Sequence, residues 1–307
     1  MLIKRNVALV KIEATYNVDP TPTPATDSIL VEGLSWSFTN QRMTADESTK
    51  NTLGSLMHRY GGSLVQVSFS MKIKGSGAAG TAPELGVPLR ACSCGEAIVA
   101  STSVTYEPVS TGFESMTMYY YEDGKRYIFT GLRGTATASL KSGQPGMISF
   151  TMTGHFGAKS DTAIISPTYD SAVAPIVVSG GFTVDSYAAV ISELSMDMGI
   201  NIITQDDMNS ADSYGEVLIG TRDVKGNIDP IDTLIASKDF IDDWETGSVM
   251  ALTTGLIGAA GNQYQLSMPA ISYRDVSVAD RNGVRSFGLP FGAAETTGDN
   301  EFSLVFT

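Results

Sequence analysis

The chain has 307 residues, 42% of them apolar and 17% charged, which suffices for two ordinary domains with sizeable cores and excludes a mainly disordered polymer. Its formal charge of −13 is unevenly spread: residues 1–160 hold 14 Lys+Arg against 12 Asp+Glu, residues 161–307 hold 6 against 21, and an acidic half repels nucleic-acid phosphates instead of gripping them. No apolar run approaches the roughly 18 residues of a membrane span, and 31 Gly and 12 Pro among many Ser, Thr, Val and Tyr favour short strands and tight turns, so a mainly β fold is expected.

Residues 1–28 lack the long apolar stretch of a secretory signal, so folding in a cytoplasm is expected. Three prolines in Asp19-Pro20-Thr21-Pro22-Thr23-Pro24 forbid helix and impose an extended path, so the segment reads as an arm or edge. A strand follows over 30–39. Residues 41–62 then form a polar stretch with Arg42, Asp46, Glu47, Lys50, His58 and Arg59, and a loop of that length is usually functional. The clearest strand is 64–75, where Val65, Val67, Phe69, Met71 and Ile73 alternate with Gln66, Ser68, Ser70, Lys72 and Lys74, giving one buried and one wet face.

Residues 83–97 space Leu85, Leu89 and Cys92 as a short helix does, despite Pro88. A hairpin over 115–129 turns on Asp123-Gly124, the dipeptide that best supplies positive φ angles. Ile148, Phe150 and Met152 alternate in the strand that closes the first unit, and 159–175, with Ser166-Pro167 and Ala174-Pro175, reads as a linker. Beyond it, 231–244 reads as a helix with Ile235, Ile241 and Trp244 on its apolar face. Tyr264, Leu266 and Met268, and finally Phe302, Leu304 and Phe306, alternate as strands.

Landmarks recur in the same order along the two halves. Leu34-Ser35-Trp36-Ser37-Phe38, Lys72-Ile73-Lys74-Gly75, Asp123-Gly124 and Ser149-Phe150-Thr151-Met152-Thr153 find weak echoes in Leu194-Ser195-Met196-Asp197-Met198, Asp223-Val224-Lys225-Gly226, Asn282-Gly283 and Ser303-Leu304-Val305-Phe306-Thr307. A duplicated architecture is therefore expected: an extended N-terminal arm (1–28), a first β domain (29–158), a linker (159–175) and a second, acidic β domain (176–307). Each unit is a β-sandwich or β-barrel with one flanking short helix and long loops.

Signatures of catalysis are lacking. His58 and His155 have no metal-type partner at helical spacing, and Cys92-x-Cys94 lacks both the spacer and the second pair of a zinc site. There is no phosphate-binding loop, dinucleotide fingerprint or nucleophile elbow. No cofactor, metal or enzymatic activity is expected.

Lys11-Ile12-Glu13-Ala14-Thr15-Tyr16-Asn17-Val18-Asp19-Pro20-Thr21-Pro22 resembles the opening of tail tube proteins (major tail proteins) of long, non-contractile-tailed bacteriophages, with their IE-x-x-Y-x-x-D-P-x-P pattern. Tyr121-Glu122-Asp123-Gly124-Lys125, Gly131-Leu132-Arg133-Gly134-Thr135-Ala136 and Ile148-Ser149-Phe150-Thr151-Met152-Thr153-Gly154 look like that family's later hairpin and closing strands, and Leu218-Ile219-Gly220-Thr221-Arg222-Asp223-Val224-Lys225-Gly226 is similar in layout. The resemblance implies stacked rings of six β-units around a lumen through which double-stranded DNA passes unbound, in a virion tail assembled after folding in the host cytoplasm. Two units per chain then imply a homotrimer with pseudo-sixfold symmetry, meeting the tape measure, terminator and distal tail proteins, with no membrane contact. On this reading the 41–62 residues Arg42, Asp46, Glu47, Lys50, His58 and Arg59 reach adjacent rings, and Glu216, Asp223 and Asp229 face the lumen. The rival expectation is a monomeric two-domain β-protein for carbohydrate or surface binding, an adhesin or decoration module, with Tyr119, Tyr120 and Tyr121 as its stacking platform.

Overall fold

The computed structural model describes residues 4–45 and 48–307. The protein is mainly β, with two helices of six residues each, and no helix among the described residues is long and apolar enough to cross a membrane. The first half contains β1 (Asn6–Ile12), β2 (Ser28–Ile29), β3 (Glu32–Ala45), β4 (His58–Lys72), α1 (Gly86–Ala91), β5 (Cys94–Val99), β6 (Ser103–Pro108), β7 (Met116–Glu122), β8 (Lys125–Lys141) and β9 (Met147–Asp161). The second contains β10 (Thr183–Val184), β11 (Glu193–Asp197), β12 (Ile200–Asp206), β13 (Tyr214–Arg222), β14 (Lys225–Ile228), α2 (Phe240–Glu245), β15 (Met250–Thr253), β16 (Ile257–Ala259), β17 (Asn262–Tyr273), β18 (Ser277–Arg281), β19 (Val284–Ala293) and β20 (Ser303–Phe306).

Alternation dictates the faces. Val65, Val67, Phe69, Met71 and Ile73 are buried, as are Tyr264, Leu266, Met268, Phe302, Leu304 and Phe306. The β7–β8 turn has positive φ at Asp123 (34°) and Gly124 (102°), and the β18–β19 turn at Asn282 (56°) and Gly283 (85°), a backbone that Asx and Gly adopt with least strain. α1 forms where expected, burying Leu89 and Ala91 between its flanking Leu85 and Cys92.

The order of neighbouring strands is the main tertiary result. In the first half antiparallel neighbours run β1-β7-β8-β9-β4-β3. In the second they run β10-β15-β17-β19-β14-β11, also antiparallel throughout. The two orders match strand for strand in chain position, with a helix between the same two strands of each. Two further pairings lock the halves together: β8 with β11, from Lys141 opposite Glu193 to Thr137 opposite Asp197, and β20 with β6. One continuous core, from Val65 and Phe150 to Leu266 and Phe291, runs through both.

Several expectations change in physical detail. β1 lies in the sheet between β2 and β7, with Val7, Ala8, Leu9 and Val10 buried, so only part of residues 1–28 is arm-like. Much of 41–62 is a β-hairpin, since β3 continues to Ala45 and β4 begins at His58, with Met43 opposite Tyr60. The helix expected over 231–244 is confined to Phe240–Glu245, where the Asp239 carboxylate accepts the Ile241 and Asp242 amides as an N-cap. Of its apolar residues only Phe240 is buried; Ile235 is 77% exposed. Lys74, on the expected wet face, is buried with its amine 3.5 Å from Glu84 and 3.8 Å from Asp170. Finally, the strand in β9's place in the second half is β19; β20, expected as the echo of β9, lies between β17 and β6.

Candidate assembly interface

Of the motif residues that carry the resemblance, Glu13 and Asp19 are bonded within the first half, while Tyr16 and Arg133 reach the second. Glu13, at the end of β1, is buried, yet every face of its carboxylate is used: Oε1 accepts from Thr117 Oγ1 (2.6 Å) and the Gly131 amide (2.7 Å), Oε2 from Ser115 Oγ (2.6 Å) and the Asn17 amide (2.7 Å). Four donors offset the desolvation that burying a charge otherwise costs. Asp19 accepts from the Tyr119 hydroxyl, tethering the Pro-rich stretch to β7.

Arg133 of β8 is 5% exposed and reaches across the seam. Its guanidinium donates to Glu216 Oε1 (2.7 Å) and the Val217 carbonyl (2.8 Å) of β13, and to the Phe113 (2.9 Å) and Glu114 (3.0 Å) carbonyls of its own half. It also lies 4.9 Å from the Tyr16 ring centroid. The Tyr16 hydroxyl accepts the Val217 amide (2.8 Å) and donates to His155 Nε2 (3.0 Å), while His155 Nδ1 donates to Asp212 (2.6 Å). That direction follows because an ionised carboxylate has no proton to give. Burial raises the Tyr16 pKa well above the ordinary phenol value, which keeps the hydroxyl protonated as this donor. Burial also pushes the Asp212 carboxyl up, but hydrogen bonds from Ser210 and His155 outweigh it and hold the group below the usual carboxylate range.

The hairpin arm β3–β4 lies against the arm β12–β13. Arg42 bonds to Asp206 and to the Tyr214 hydroxyl (2.9 Å), Tyr214 donates to the Asn40 carbonyl (2.7 Å), and Ser213 Oγ to the Gly61 carbonyl (2.7 Å). At Gly62 (φ 122°) a Cβ would collide with the Asp212 carbonyl, so the arms approach backbone to backbone. Arg42 is thus held within the chain, whereas Lys50, His58 and Arg59 project into solvent near the end of the arm with Leu53 and Met57. Asp46 and Glu47 lie outside the described residues.

Glu216, Asp223 and Asp229 do not form one cluster of like charges. Glu216 pairs with Arg133; Asp223 sits between β13 and β14 with Arg274, whose hydrogen bond lowers its pKa; Asp229 pairs with Arg281 (2.7 Å) and accepts from Ser192. Tyr119, Tyr120 and Tyr121 are all buried, which removes the exposed aromatic platform of the carbohydrate-binding alternative. Cys92 and Cys94 are free and buried, and burial pushes the Cys94 thiol up to about 12.

Sequence reasoning missed Arg133, Tyr16 and His155 as one network. Their separation along the chain hides it, although a lone Arg between two glycines in a strand, Gly131-Leu132-Arg133-Gly134, was a local signal of close packing.

Among the described residues, several strands have a single neighbour; two of them are β3, which pairs with β4, and β18, which pairs with β19. A long open edge is an aggregation liability in a monomer and a joint in an assembly.

No curated protein matches the chain. A family model described as phage tail tube protein matches residues 4–301, nearly the whole length. With the match covering both halves, the chain belongs to the phage tail tube protein family.

Proposed function

We propose that three copies of this chain close into a ring of six β-units, and that the rings stack into the tail tube through which the genome leaves the virion. Membership of the family implies a structural phage-tail protein that associates with itself and with other tail proteins; the ring, its copy number and genome ejection are the proposal. The observation that supports it best is the repeated strand order, β1-β7-β8-β9-β4-β3 followed by β10-β15-β17-β19-β14-β11, with the two sheets joined where β8, beyond the end of β7, pairs with the edge strand β11. We read such a repeat as two copies of one tube unit in tandem. Heterologous contacts between like units close into rings.

Charge supports a passive conduit. The second half, with 21 Asp+Glu against 6 Lys+Arg, carries all of the net negative charge, and negative walls repel DNA within a Debye length of about 8 Å, so the duplex slides without binding. Because Glu216, Asp223 and Asp229 each have an arginine partner, repulsion in this proposal rests on the excess of acids across the half, with these three as contributors. The arm β3–β4, with Lys50, His58, Arg59, Leu53 and Met57 exposed, is proposed to reach the adjacent ring. The role is structural, with no catalytic step assigned to any residue.

Electron microscopy of the purified protein over a wide concentration range tests this reading. Rings or tubes with three chains per layer are expected; a compact monomer at every concentration overturns it.

A further inference from the structure

The seam inside the chain serves as a template for the seam between chains, and its parts have open counterparts. In the first half, β8 has β9 on one side. On its other side it has β7 as far as Leu132 and then, beyond the end of β7, β11 from Thr137 to Lys141. By strand order, β17 and its continuation β18 take the place of β8. They have β19 on one side. On the other they have β15 as far as Ile271, and beyond the end of β15 no strand among the described residues pairs with β18 on that side. The strand in the place of β11 is β3, whose edge away from β4 is likewise open.

Side chains along both edges are left as an interrupted core. On β18, Val278 lies opposite the buried Phe287 and on the same face, yet is itself 68% exposed. Along β3, Trp36 and Phe38 with Tyr127 and Phe156 line an open groove of about 520 Å³ rimmed by Lys125 and Lys159. At the inner seam the corresponding space is closed: Ala138, Leu140 and Ile148 of the first half meet Met196, Met198 and Tyr264 of the second around a small enclosed gap.

We infer that β18 of one copy pairs antiparallel with residues 32–38 of β3 of a second copy, and that this pairing brings Val278 against the aromatic groove beside Trp36. The inference rests on the ring reading and adds the strands that close the ring. Strand addition satisfies backbone groups on both edges and covers apolar surface that isolated monomers leave wet.

Thiol cross-linking tests it. In the outward-facing pairs Ala279→Cys with Ser35→Cys, and Ala279→Cys with Ser37→Cys, a short bis-maleimide is expected to give covalent dimers and closed trimers. The parent chain, whose Cys92 and Cys94 are buried, should give none. A second variant, Val278→Asp, is expected to raise the concentration needed for ring formation at least tenfold while leaving the monomer's melting temperature unchanged, because Val278 is exposed in the single chain. Rings that form without cross-linking at either pair, or that tolerate Val278→Asp, overturn this seam and leave the ring reading standing. Absence of any oligomer overturns both.

Discussion

Asp212 shows how a single residue couples the two halves to pH. It lies in the turn between β12 and β13, yet it anchors His155 of β9, and through that ring Tyr16 and the Val217 amide. Its pKa in the folded chain lies below the ordinary value near 3.9, so its contribution to stability is fully present above that value. The contribution is lost as pH falls through the lower, folded pKa, because the unfolded chain then binds the extra proton first. Asp212→Asn should therefore cost about 1.5–3 kcal/mol at neutral pH, the range for hydrogen bonds to charged groups, and progressively less as the pH is taken below the ordinary carboxylate value and through the lower, folded pKa. Thermal melts of both proteins over that pH span check it; a stability difference that does not shrink in acid would remove Asp212 from this role. Glu13 makes the complementary point about legibility: the sequence marks it as part of a family pattern, while only the fold reveals four converging donors.

Among the elements, the arm β3–β4 departs most from its sequence signal. Its strands carry polar and small residues on both faces, so no period-two pattern emerges, and residues 41–62 read as a loop. Main-chain pairing such as Thr44 with Arg59, and contacts of Arg42 with Tyr214 and Asp206, hold it as a hairpin instead. Replacing residues 46–57 with a two-residue Asn-Gly turn keeps those contacts. It should change folding stability by less than about 1 kcal/mol, as exposed substitutions do, while abolishing stacking of rings into tubes. Calorimetry and electron microscopy of the same sample read both effects, and tubes of normal length from the shortened chain would rule out an inter-ring arm. α2 errs in the opposite sense, since its apolar spacing suggested a longer helix than Asp239 caps and its Ile241 and Trp244 remain half-exposed.

For the whole molecule, one core has to serve two halves. β11 completes the edge of β8 and β20 that of β6, so neither half keeps its pairing alone. A single cooperative calorimetric transition is expected for the monomer, and a fragment of residues 1–161 should fail to give a folded spectrum, having lost the partners of β8, β6 and Arg133. Two separated transitions, or a folded fragment, would show the halves to be independent.

The sequence by itself determined the class of the molecule. Alternation set the buried faces of β4, β9, β17 and β20, Asx-Gly pairs set two tight turns, and the charge count separated a near-neutral half from an acidic one. Short motifs identified the family. The tertiary structure alone decided which strands are neighbours: that β19 and not β20 stands in β9's place, that β8 continues into β11, and that Arg133, Tyr16 and His155 meet across the seam. Alternation and turn chemistry act between residues close in the chain, whereas strand partnership is a contact between distant segments whose fit depends on packing with neighbours that no local pattern records.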